Sequence, residues 1–157
     1  MAIGLSEWSE HVNIVDLLKH HNWIPRKPAT EDDVRQLKEK FKIELPNDYE
    51  SLLQTSNGYS LSGFETPLIV WSTMEVLALF REHDLYENIP QSLIFGGDGG
   101  GTVYCYDLRT KNDKGNYDVF FVKEEEAYYD KIFFRTSSLT ELVEKIVKNE
   151  KLNVENR

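Results

Sequence analysis

The stretch with the clearest chemical potential is Gly96-Gly97-Asp98-Gly99-Gly100-Gly101, which holds five of the nine glycines in the chain. A glycine-rich loop can cradle phosphate because several backbone N–H groups point at one anion. The phosphate-binding versions lead into a helix N-terminus, and Walker-type loops add a lysine followed by Ser or Thr. Here the loop runs into Thr102-Val-Tyr-Cys-Tyr106, a strand pattern, and it contains no lysine. The spacing therefore predicts a turn between two strands, which uses glycine's tolerance of positive φ and of close backbone packing. The functional alternative is a ligand site with Asp98 at the tip of the loop.

Other residue types suited to chemistry are present without a matching pattern. The carboxylates Asp98, Asp107, Asp113, Asp118 and Glu124-Glu125-Glu126 fit no EF-hand spacing, and no zinc pattern occurs. A carboxylate pair for acid–base catalysis is defined by separation in space, so spacing along the chain does not select one. Cys105 lies between Tyr104 and Tyr106 in the strand pattern, which predicts a buried, inert thiol. The histidines His11, His20, His21 and His83 fall in helix-like segments, with His21 on an apolar face as a core or boundary residue. Trp8, Trp23, Trp71 and the aromatic strands could form a stacking platform, but aromatics at alternate strand positions read as core. No catalytic set and no cofactor or metal site is expected.

These residues need a scaffold, and the sequence divides into two styles. Ile14, Leu17, Leu18 and His21 recur at helical spacing. Pro25 and Pro28 force extended chain, and Thr30 is an N-cap with Glu31, Asp32 and Asp33 in the first turn behind it. Val34, Leu37 and Phe41 carry the apolar face of that helix. A third helix starts at Leu45-Pro46-Asn47-Asp48-Tyr49, with Tyr49, Leu52 and Leu53 on one stripe, and Asn57-Gly58 stops it. Leu68-Ile-Val-Trp71 reads as a buried strand, and Ser72 with Glu75 as a capping box for a helix running to about His83. Leu93-Ile-Phe95, Thr102-Val-Tyr-Cys-Tyr106, Tyr117-Asp-Val-Phe-Phe-Val122 and Lys131-Ile-Phe-Phe134 read as strands joined by turns, hence antiparallel. Ser138 with Glu141 is a second capping box, ahead of an amphipathic helix carrying Leu139, Leu142, Val143, Ile146 and Val147. Helices, then strands, then a closing helix predict an α+β fold in one domain.

The 157 residues carry 27 acidic and 18 basic side chains, a net charge of −9 spread along both halves. Nucleic acid prefers a basic surface, so it is not an expected partner. Apolar runs such as Val76-Leu-Ala-Leu-Phe80 are far shorter than the ~18 residues of a membrane-spanning helix. One cysteine and no visible secretory signal predict a cytoplasmic chain.

Two stretches together resemble the SUKH superfamily. Residues 37–58 (LKEKFKIELPNDYESLLQTSNG) are similar to its opening signature, a helix, a Leu-Pro-x-Asp-Tyr start to the next helix, and an Asn-Gly stop. Residues 94–108 (IFGGDGGGTVYCYDL) are similar to its Gly-rich strand pair, ending at Asp107, and the helix over 138–149 fits its terminal element. The resemblance spans about residues 30–149. It implies an α+β domain with a mostly antiparallel sheet of about five or six strands, packed by N-terminal helices and a C-terminal amphipathic helix. The family includes Smi/Knr-like fungal regulators of cell-wall glucan synthesis and bacterial immunity proteins that neutralise a cognate toxin, often a nuclease. It brings no catalytic residues.

A compact acidic chain resembles the bacterial type. The resemblance then implies a protein partner, a basic cognate toxin, since nucleases are basic and opposite charge speeds encounter. The expected contact surface is Asp98, Asp107, Glu124, Glu125 and Glu126, with Tyr128 or Tyr129 as aromatic anchors. The alternative is a small-molecule-binding or hydrolytic domain that uses a cleft beside Asp98 and Asp107.

Overall fold

A computed structural model describes residues 13–82 and 84–152. Trp8, His11 and His83 lie outside the described residues. Helix α1 (Ile14–Lys19) starts at Asn13, whose Oδ1 accepts the amides of Val15 at 2.8 Å and Asp16 at 3.2 Å. Helix α2 (Glu31–Phe41) opens with a full capping box. Thr30 Oγ1 accepts the Asp33 amide at 3.0 Å and Asp33 accepts the Thr30 amide at 2.9 Å. Helix α3 (Asn47–Thr55) follows Pro46 and ends at an extended Ser56. Strands β1 (Tyr59–Leu61) and β2 (Leu68–Val70) then lead to α4 (Thr73–Glu82), capped by reciprocal Ser72–Glu75 bonds of 2.8 and 3.2 Å.

The strand-rich half comprises β3 (Ser92–Gly97), β4 (Thr102–Asp107), β5 (Val119–Lys123) and β6 (Phe134–Thr136), closed by α5 (Leu139–Val147). Among the described residues, six strands form one sheet in the order β1-β2-β3-β4-β5-β6, and every neighbouring pair is antiparallel. The expected α+β architecture is therefore present. Strand alternation sorts the side chains onto two faces. Leu93, Phe95, Tyr104, Tyr106, Val119 and Phe121 join the core beneath α1, α2, α3 and α5. Ile94, Val103, Cys105, Phe120 and Val122 face the other way, onto Tyr86, Ile89, Ala127 and the half-buried Leu79, Phe80, Tyr129 and Ile132. Burial on both faces explains why these strands are almost continuously apolar.

The Leu-Pro-x-Asp-Tyr segment has a packing role in this fold. Tyr49 is fully buried, 5.7 Å from the Phe95 ring and 5.6 Å from the Tyr106 ring. Asp48 Oδ2 accepts the amide of Thr140 at 2.9 Å and its hydroxyl at 2.8 Å. A carboxylate from α3 thus satisfies an open amide in the first turn of α5, where helix dipoles favour negative charge.

Four local expectations need correction. Strand β1 was not expected, because three residues after a glycine stop look like loop. The 131–134 stretch is not a strand throughout: a 3₁₀ turn occupies Tyr129–Lys131 and β6 starts at Phe134. Ile132 there turns to the second face while Phe133 and Phe134 pack on the first. Ser138 accepts the Glu141 amide at 3.0 Å, but the Glu141 carboxylate reaches back to the Ser137 amide, also at 3.0 Å, and to the Thr136 hydroxyl. The cap is therefore shifted by one residue rather than reciprocal. Phe41 is only half-buried, edge-on to Phe80 with ring centroids 4.7 Å apart.

Residues 98–101 of the glycine stretch form the β3–β4 turn, with φ of +79° at Gly99 and +106° at Gly101, whereas Gly96 and Gly97 end β3. Gly96 serves a different purpose. It pairs with Val70 of β2 and Tyr104 of β4, and a Cβ there would run into the Ile69 carbonyl oxygen. Gly96→Ala should therefore cost about 1–3 kcal/mol, the range for forcing an extra methyl into packed structure. A denaturant melt checks this, and an unchanged midpoint would show that β2 can move aside.

Candidate functional site

The candidate residues fall at two ends of β4 rather than in one patch. At the turn end, Asp98 Oδ1 accepts the amides of Gly100 at 2.7 Å and Thr102 at 3.0 Å. The carboxylate thereby holds the shape of the turn. The Glu124 amide donates to the Gly101 carbonyl at 2.8 Å, which fixes the 3₁₀ turn Glu124–Glu126 against the glycine turn. All three glutamates are exposed. The structure thus brings Asp98, Glu124, Glu125 and Glu126 to one end of the sheet.

A cavity of about 420 Å³ opens at this end on the helix-bearing face. Tyr104 and Phe121 in its lining stack with ring centroids 3.9 Å apart, and Phe133 stands edge-on to Phe121 at 6.0 Å. The Tyr104 hydroxyl donates to the Pro67 carbonyl at 2.6 Å. Burial pushes that phenol well above its ordinary pKa, and the Asp98 charge adds to the effect. Sequence reasoning placed Asp98 at a loop tip but missed this aromatic lining, because Tyr104, Phe121 and Phe133 read as core positions.

Asp107 lies at the other end of β4, about 17 Å away at 3.3 Å per strand residue. The expectation that it contributes to an exposed acidic surface is not met, since its side chain is 5 % exposed. Arg109 grips it with Nε at 2.9 Å and Nη2 at 2.8 Å, and Arg135 Nη2 adds a contact at 3.1 Å. Arg135 also reaches Asp118 Oδ2 at 3.3 Å. Burial pushes the Asp107 pKa up, but its bonds to Arg109, the Arg109 charge and Arg135 outweigh that and hold it below the ordinary carboxylate value. This end is a neutralised network of two aspartates and two arginines.

The expected aromatic anchors also separate. Tyr128 is 46 % exposed beside the glutamate turn. Tyr129 is already engaged: the Arg109 guanidinium lies 3.6 Å over its ring and its hydroxyl accepts the Gln91 amide at 3.0 Å. The cleft that would hold both Asp98 and Asp107 does not form, because the length of β4 separates them. Cys105 is fully buried, and that burial pushes its thiol pKa up. Among the described residues, no group of three or more His, Cys, Asp or Glu gathers at metal-binding spacing.

The family model of the SMI1 / KNR4 family (SUKH-1) matches residues 28–145. The chain belongs to that family. The match covers α2 through most of α5, and so includes both the glycine turn and the Asp107 network. Comparison with curated proteins returns no match. Within the family segment the Leu-Pro-x-Asp-Tyr and glycine-rich stretches are framework residues first, since both act through backbone hydrogen bonds and packing. Among the described residues, no helix is long and apolar enough to cross a membrane.

Proposed function

We propose that this SUKH-1 chain is a non-catalytic protein-binding module, an immunity protein that neutralises a basic, nuclease-type toxin by direct binding. Membership of the family supports the binding role, and the tether between Glu124 and Gly101 is the observation that carries the choice of surface. That bond gathers four carboxylates at one end of the sheet, with the exposed Tyr128 next to them. A basic partner is drawn to such a surface over roughly a Debye length, about 8–10 Å at physiological salt. Inhibition then consists of covering the cationic surface on which the toxin would bind its own anionic substrate. Asp107 and Tyr129, engaged internally, take no part in this contact.

The direct test is co-expression with a candidate toxin, first sought among the neighbouring genes, scored by rescue of growth and by a complex surviving gel filtration. Glu125→Lys should lower kon roughly two- to fivefold and flatten its salt dependence, with koff nearly unchanged, because exposed rim charges act through steering. Tyr128→Ala should instead raise koff, as expected of an aromatic anchor. Absence of both rescue and complex would refute the immunity reading.

A further inference from the structure

The cavity at the turn end has features that the acidic rim alone does not explain. Its lining holds the almost fully buried Tyr104 and Phe121, the half-buried Phe133, whose ring is the accessible one, and the carboxylates of Asp98 and Glu65. The hydroxyl-bearing Thr66 and Thr102 complete the wall. At about 420 Å³ it lies at the small end of ligand pockets, too small for a helix or a loop but adequate for one long side chain. Asp98 belongs both to its lining and to the proposed contact surface, and the Gly101 tether holds the Glu124–Glu126 turn beside that loop, so the cavity borders the surface. Hot spots concentrate where a partner side chain fills a pocket and the surrounding contacts keep water out.

We propose that this cavity is an anchor pocket for a single arginine side chain of the partner protein, a reading that rests on the proposed function. A planar guanidinium stacks on aromatic rings and meets carboxylates with two N–H groups at once, whereas a compact, strongly hydrated ammonium does neither as well. Asp98 and Glu65, both in the lining, supply the countercharge. The β3–β4 turn and the β1–β2 connection that carry them are each held by the fold: Asp98 by its own amide bonds, and Glu65 by its amide donating to Asn149 Oδ1 at 2.6 Å. Lys151 lines the same cavity and is its resident cation. An incoming guanidinium competes with it, so removing that charge should strengthen the site.

The test needs no toxin and uses the full chain. Amide chemical shifts are followed while N-acetyl-arginine methylamide is added, with the citrulline and lysine analogues as controls. The arginine compound should bind with a Kd on the order of 1 mM, its shifts centred on Thr66, Asp98, Thr102 and Phe133. Citrulline, the same shape without charge, should give no saturable shifts, and lysine should bind several-fold more weakly. Asp98→Asn keeps an acceptor for the turn amides; combined with Glu65→Gln it should raise Kd at least about tenfold. Lys151→Met should lower Kd about two- to fivefold. Thr66→Tyr, which fills the opening without touching a rim charge, should abolish the shifts.

Equal binding of citrulline would overturn the proposal, as would arginine shifts confined to residues 124–126 or persisting unchanged in the Thr66→Tyr chain. A chain that rescues growth from its toxin but shows no arginine response refutes the pocket and leaves the immunity reading intact. An arginine response without a toxin complex does the reverse.

Discussion

Leu142→Ala should lower stability by about 2–5 kcal/mol, the range for removing a buried leucine side chain and leaving a cavity. Leu142 is completely buried on α5, with Leu139, Val143 and Ile146 on the same stripe. That stripe packs where α1, α3 and α5 meet, and the Asp48–Thr140 bonds pin α5 there from its first turn. With α5 so constrained, little collapse into the cavity is available, which favours the upper half of the range. In a chain of this size the loss corresponds to a fall in Tm of roughly 6–15 °C. Calorimetry on Leu142→Ala beside Ile146→Val checks the assignment. The second change, one methylene, should cost about 0.5–1.5 kcal/mol. A Leu142→Ala chain that melts like the parent would mean that α5 is not docked as described.

Helix α5 was legible because its signals agree: a serine cap, an apolar stripe at helical spacing and charges on the opposite side. The Thr30 and Ser72 caps were legible for the same reason, since a cap depends on residues three apart in sequence. The turn over residues 98–101 was legible because a strand pattern rather than a helix follows the glycines and no lysine lies among them. What sequence reasoning missed depends on neighbours across the sheet. Asp107 reads as one more surface carboxylate, and nothing local shows that Arg135 lies near it. The antiparallel register places Arg135 opposite Phe120 and Phe120 opposite Cys105. Alternation along β4 then puts Asp107 on the face of Cys105, within reach of that arginine. Tyr129 was misread in the same way, because its ring is covered by Arg109 from a different loop. Residues 131–134 failed for another reason: aromatic and β-branched content marks burial, which a 3₁₀ turn crossing the second face also needs.

Replacing Asp107 should destabilise the fold without weakening partner capture. Its carboxylate accepts both nitrogens of the Arg109 fork, the Arg109 amide at 3.1 Å and one Arg135 nitrogen. Asp107→Ala leaves two guanidinium groups facing an apolar gap. Removing one partner of a fully buried ion pair costs about 3–5 kcal/mol, but both arginines are 38 % exposed and can regain water. A loss of about 2–3 kcal/mol is therefore expected, with Asp107→Asn losing less because it keeps one acceptor. The pH dependence has a definite sign. A carboxyl held below its unfolded value binds fewer protons in the folded chain than in the unfolded one. The stability it supplies is complete above the unfolded value, near pH 4, and is lost as the pH falls through the folded value. The parent chain should accordingly lose stability more steeply than Asp107→Asn below about pH 4, while the difference between them stays constant from about pH 5 to 7. Because β4 separates this network from Asp98 and the glutamate turn, the kon for the partner at neutral pH should be the same in both chains. A drop in kon of the size expected for Glu125→Lys would instead place Asp107 within the binding surface.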